Sequence, residues 1–141
     1  MKIVDTVYLV AYFRVEDPCH KEAREIIEKL GDEVKISEAS LIEFDLLLGS
    51  RGFTLDERFE TWMVLNSLID DRDIEVVTPK DLFLATYMVY KYGIDYFDSI
   101  ISAQCIIRRA IPITTDREIL EIIKRGDEIL KVLKRLYNFE L

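Results

Sequence analysis

The sequence predicts an α/β protein, a three-layer α/β/α sandwich around a central, mainly parallel sheet of four or five strands. Short strand-like runs, "KIVD" (2–5), "EVKIS" (33–37), "IEVVT" (74–78) and "AIPIT" (110–114), alternate with longer segments whose apolar residues recur at three- and four-residue spacing. Such alternation buries a parallel sheet under helices on both faces. Half of the 141 residues are apolar and a third are charged, with only five glycines and three prolines. That is the composition of an element-rich globular chain, of a length that suits one domain over residues 1–141.

"KIVD" reads as a short buried strand ending in an acid, and "TVYLVAYF" (6–13) continues at helical period. Pro18 suits the first turn of a second helix through "HKEAREIIEKL", which Gly31 would stop. After the strand "EVKIS", "EASLIEFDLLLG" (38–49) is a helix ended by Gly49 or Gly52, and "TLDERFETWMVLNSLIDD" (54–71) is a long amphipathic one. "IEVVT" is the third strand. Pro79 opens a helix through "KDLFLATYMVYKYG", and the apolar run around Asp98 forms another. The strand "AIPIT" leads into the helix "DREILEIIKRG" (116–126), and the tail "DEILKVLKRLYNFEL" (127–141) is helical by period.

No apolar run reaches the roughly 18 residues that span a bilayer. The acid within "MKIVDTVYLVAYF" also interrupts what would be a signal peptide's apolar region, so a cytoplasmic protein with no membrane partner is expected. Two cysteines without a CxxC motif fit a reducing compartment. A net charge of −8 argues against binding nucleic acid through a broad basic surface. Two divalent cations held by the acids would halve that charge. The single histidine, His20, argues against a histidine-based zinc site.

In parallel α/β sheets ligands gather beyond the carboxyl ends of the strands. Asp5 follows the first strand and Asp116 the fourth; Asp98 lies in the first turn of a helix, and Glu43 in the apolar helix after the second strand. All four can converge at one end of the sheet. A cluster of carboxylate oxygens suits hard cations, Mg²⁺ or Mn²⁺. Each acid also has a plainer reading. Asp5 can cap the helix that follows, Asp95 and Asp98 form D-x-x-D, and Ser40/Glu43 and Thr115/Glu118 have capping-box spacing.

The segments "IVDTVYLV", "SEASLIEFDLLL", "DYFDSIISAQCI" and "ITTDREI" resemble, in order and over nearly the whole chain, the four motifs of PIN domains, nearest to VapC-type toxin ribonucleases and similar small prokaryotic PIN proteins. The resemblance implies a Mg²⁺- or Mn²⁺-dependent endoribonuclease with Asp5, Glu43, Asp98 and Asp116 as both catalytic residues and metal ligands. It implies auxiliary roles for Thr114, which stands where relatives often carry a hydroxyl, and for Glu118; Asp95 would reach the rim. RNA as substrate, homodimerisation and a small antitoxin protein as partner follow from the same likeness. Two departures stand out. Val7 occupies a position where many relatives carry a polar residue, which would remove a hydrogen bond supporting the metal ligands, and the chain after Asp116 continues as helix where relatives return to a strand.

The same Val7 argues against a haloacid-dehalogenase-type phosphatase, which needs a second Asp there. A receiver domain would want paired acids before the first strand, where "MKIV" has none. The alternative of another kind is a PIN fold that has lost activity and serves as a binding module.

Overall fold

Lys2–Val4 form the central strand β1, and their alternating side chains determine which helices pack where. Ile3 points to one face of the sheet, against Cys105 and Ala110, while Val4 points to the other, with Tyr8, Ile36 and Phe44. The computed structural model describes residues 1–141. It contains four strands, β1, β2 (Val34–Ser37), β3 (Ile74–Glu75) and β4 (Ile111–Ile113), in the order β3-β2-β1-β4, with every pair parallel. Val4 lies opposite Ile36 on one side and Ile113 on the other, so β1 and β4 end level with each other and their acids emerge together.

Eight helices cover the sheet: α1 (Thr6–Tyr12), α2 (His20–Ile27), α3 (Glu38–Ser50), α4 (Leu55–Leu68), α5 (Pro79–Tyr92), α6 (Tyr96–Arg108), α7 (Arg117–Lys124) and α8 (Gly126–Tyr137). The core on one face joins β1 and β2 to α1–α4, and the core on the other is built mainly from α5–α8. The expected three-layer sandwich therefore forms, with four strands.

Local chemistry shifts several boundaries. The second helix begins at His20, after Pro18, and ends at Ile27 before reaching Gly31. Gly49 lies inside α3; the chain turns only afterwards, at Gly52, whose φ of +80° is a conformation that glycine adopts without a steric penalty. Neither expected capping box forms. Ser37 caps α3, leaving Ser40 to donate to the Val4 carbonyl (3.0 Å), and Asp116 caps α7 in place of Thr115. The tail is helical, and β4 remains an edge strand. Its Pro112 has no N–H to offer an additional strand, which blunts that edge.

Candidate metal centre

Asp5 is fixed from three directions. Its backbone N–H donates to the Ile113 carbonyl (3.0 Å), its Oδ1 accepts from the Thr6 N–H at the start of α1 (2.7 Å), and its Oδ2 accepts from the Thr114 hydroxyl (2.7 Å). Thr114 Oγ1 in turn accepts from the Asp116 N–H (2.9 Å). Asp116 uses Oδ1 to cap α7, accepting from Glu118 N–H (2.8 Å) and Ile119 N–H (3.3 Å). Capping and clustering are therefore compatible: Asp116 satisfies a helix start with one carboxylate oxygen and leaves the other for the cleft, while each Asp5 oxygen accepts one hydrogen bond and keeps a further lone pair.

Asp98 occupies the first turn of α6, which Asp95 caps by accepting from Phe97 N–H (3.1 Å) and Asp98 N–H (3.4 Å). At the other end of α6, Arg108 donates to Glu75 and to Asp81 (2.6 and 2.9 Å), and Gln104 binds Ser37 and the Glu75 carbonyl. These polar anchors tie α6 to β2, β3 and α5.

The four elements bring their acids together. Carboxylate oxygens of Asp5, Glu43 and Asp98 lie within 4.8 Å of one another, as do those of Asp98, Asp116 and Glu118. Asp98 belongs to both groups and is the hinge of the cluster. Asp5 is buried, Glu43, Asp98 and Asp116 are half-buried, and Glu118 and Asp95 are exposed. The acids other than Glu118 line a cleft of about 570 Å³ beyond the strand ends, with Asp17, Arg14 and Arg51 also on its walls.

Crowding alters their titration. Burial first, then the charges of Asp116, Asp5, Asp95 and Glu43, push the Asp98 carboxyl up to about 8. Burial also raises Asp5, opposed by its hydrogen bonds from Thr114 and Thr6. Glu43 is raised by burial, with the nearby Thr6 hydroxyl opposing and Asp5, Asp95 and Asp116 adding to the rise. The donors are all oxygens, and their mutual repulsion lacks a counter-charge within the cluster. This set fits a hard divalent cation.

The PIN domain family model matches residues 2–125. The chain belongs to the PIN domain family. Solved structures agree on the fold. The sarcin-ricin loop cleaving toxin VapC20 of Mycobacterium tuberculosis superposes with a TM-score of 0.67 at 17% identity, over 86% of this chain and 95% of that one. VapBC2 of Rickettsia felis, bound to a promoter DNA fragment, gives 0.63 at 16% identity, over 86% and 92%. A toxin–antitoxin complex from Klebsiella pneumoniae gives 0.59 at 18% identity, over 85% and 90%. No curated protein matches in sequence.

The match ends at Arg125, so α8 lies outside the part of this PIN domain that the family model describes. All seven residues singled out from sequence, Asp5, Glu43, Asp95, Asp98, Thr114, Asp116 and Glu118, lie in or beside the cleft. Arg108, Arg109 and Lys134 do not. Arg108 is engaged by Glu75 and Asp81, Arg109 lies 3.7 Å from Asp127, and Lys134 pairs with Glu140 at 2.7 Å. The cleft's own cations, Arg14 and Arg51, escape notice in the sequence because each stands alone just past a helix end. Their signal is only the helical spacing from Val10 and Leu47.

Proposed function

We propose that this PIN domain, a single domain over residues 1–141, is a metal-dependent endoribonuclease and the toxin of a toxin–antitoxin pair. The observation that carries the reading is the convergence of Asp5, Glu43, Asp98 and Asp116 from four different elements in one cleft, with no histidine or lysine on its walls. Asp5, Asp98 and Asp116 would hold Mg²⁺ or Mn²⁺ directly, and Glu43 would hold it through water or act as the base for the attacking water. Bound there, the ion activates water and neutralises charge on the phosphoryl oxygens. Thr114 orients Asp5 and the backbone of Asp116, Glu118 extends the acidic group around Asp98, and Asp95 fixes the helix start that presents Asp98.

The partners of the neighbouring structures support a small antitoxin for this chain. An apolar groove of about 560 Å³ beside α4, lined by Leu41, Phe59, Trp62, Met63, Ile69 and Ile74, offers such a segment a surface. The chain would also form a homodimer, for which α4 and α5 retain exposed apolar side chains, with Met63 71% and Tyr90 88% accessible. No helix is long and apolar enough to cross a membrane, and a cytoplasmic location suits an RNA substrate.

The test is cleavage of single-stranded or loop RNA by the purified protein in Mg²⁺ or Mn²⁺, with Asp98→Asn prepared in parallel. Products with 5′-phosphate ends, lost in excess EDTA and absent with the variant, are expected; equal cleavage by both proteins would overturn the reading. The binding-module alternative rests on Val7, an apolar residue on the cleft wall. It predicts RNA or protein binding with no cleavage.

A further inference from the structure

The cleft has a direction. Along α1 and just beyond it, Val7, Val10 and Arg14 follow one another at three- and four-residue intervals, and along α3 Glu43, Leu47 and Arg51 follow at four. All six line the cleft, so each series runs along the same face of its helix. Both series begin near the acids at the strand ends and finish in an arginine past the last helical turn. At 1.5 Å per residue, Glu43 to Arg51 spans about 12 Å. The wall passes from acidic through apolar to basic over that length.

Both arginines are exposed and scarcely engaged. Arg14 lies 3.7 Å from Glu16, an exposed pair worth little, and the Arg51 guanidinium makes no hydrogen bond or ion pair. Neither arginine pairs with any of the six acids on the cleft wall, and a guanidinium presents a planar fork that matches phosphate. Asp17, on the Arg14 loop, commits its Oδ1 to the Cys19 N–H (2.8 Å).

We propose that Arg14 and Arg51 are positioning residues that grip the substrate backbone. A single RNA strand lies along the α1–α3 groove with its scissile phosphate at the acids, one neighbouring phosphate at each arginine, and sugar or base edges against Val10 and Leu47. Val7 then belongs to an apolar wall that the strand touches. This inference rests on the nuclease reading of the cleft.

The test is steady-state cleavage of a fluorophore-labelled single-stranded RNA of mixed sequence, over a salt series, by wild type, Arg14→Gln, Arg51→Gln, the double variant, the double lysine variant and Lys131→Gln. The double glutamine variant is expected to raise KM about tenfold or more with kcat within about twofold. Its salt dependence should be shallower by roughly 1.4 in log–log slope, about 0.7 for each phosphate that is no longer neutralised by an arginine. The lysine variant keeps the slope, Lys131→Gln changes neither quantity, and the rise in Tm on adding Mn²⁺ is the same in all of them. Wild-type cleavage with unchanged KM and slope in the double variant would overturn the grip and leave the nuclease standing, as would a fall in kcat alone. Wild type and Asp98→Asn that are alike in showing no metal-dependent cleavage would overturn the nuclease reading and the grip with it.

Discussion

The hydroxyl of Thr114 donates to Asp5 Oδ2 at 2.7 Å and, through the same oxygen, accepts the Asp116 N–H at 2.9 Å. One side chain thereby couples the loop after β1 to the loop after β4 and orients the buried carboxylate of the cluster. Asp5 depends on that bond, because burial raises its pKa and the Thr114 hydroxyl is the largest influence opposing the rise.

Thr114→Val keeps the shape and removes the donor. Mn²⁺ affinity, measured by calorimetric titration at pH 7, should fall about 10–100-fold, the usual effect of losing a partner that orients a metal ligand. Unchanged affinity would mean that Thr114 serves the loop alone.

Asp98 predicts an unusual pH profile for the metal-free protein. Its carboxyl, ordinarily near 3.8, is raised to about 8, so between those values the folded state holds more protons than the unfolded chain. Stability contributed by this group is therefore greatest at low pH and declines as pH rises towards 8. Thermal unfolding in EDTA should show wild type losing Tm relative to Asp98→Asn from pH 5 to pH 8. Millimolar Mn²⁺ should remove the difference in slope, since a bound cation displaces the proton.

Asp95 and Asp98 are three residues apart and separate capping from clustering. Asp95→Ala removes the acceptor for two N–H groups at the start of α6 and should cost about 0.5–2 kcal/mol in urea unfolding, while most of the stabilisation by Mn²⁺ remains. Above pH 8, where Asp98 is ionised, Asp98→Ala should melt at the same or a higher temperature in EDTA at low salt, because the cost of its burial and its repulsion are removed, and should lose most of the gain from Mn²⁺. A variant of Asp98 that is less stable without metal, yet gains as much from Mn²⁺ as wild type, would assign it to the helix alone.

The fold is legible in the sequence because period and punctuation agree: the strand-like runs are short and apolar, and Pro79 and Gly93 bracket α5 as its first residue and C-cap. The acids are legible because three of them directly follow or begin elements whose order places them at one end of a parallel sheet. What the sequence obscures is competition between neighbours for the same role. Ser37, Ser40, Thr115 and Asp116 are all competent caps, and only the strand ends decide that Ser37 and Asp116 take the positions. The basic residues are obscured for a related reason. Arg108 looks like a free helix-end cation until the chain returns Glu75 and Asp81 to it from far earlier in the sequence.

Arg108 supplies the remaining prediction, because it anchors the end of α6 opposite Asp98. The Asp81 side chain is fully buried, and Arg108, itself mostly buried, is its cationic partner; Glu75 also has Lys35 at 3.8 Å. Arg108→Met leaves Asp81 buried without a counter-charge, although Thr78 still donates to it through N–H (2.8 Å) and hydroxyl (3.1 Å). Such a broken buried pair costs about 3–5 kcal/mol, whereas replacing both charges with apolar side chains is often close to neutral. Arg108→Met should therefore be strongly destabilised in urea unfolding, and the double variant Arg108→Met/Asp81→Leu should recover much of the loss. At a temperature where the double variant is folded, it should still be stabilised by Mn²⁺, because the change lies at the opposite end of α6 from Asp98. Failure of that stabilisation in a folded protein would show that the ion pairs set the position of Asp98 as well as the stability of the helix.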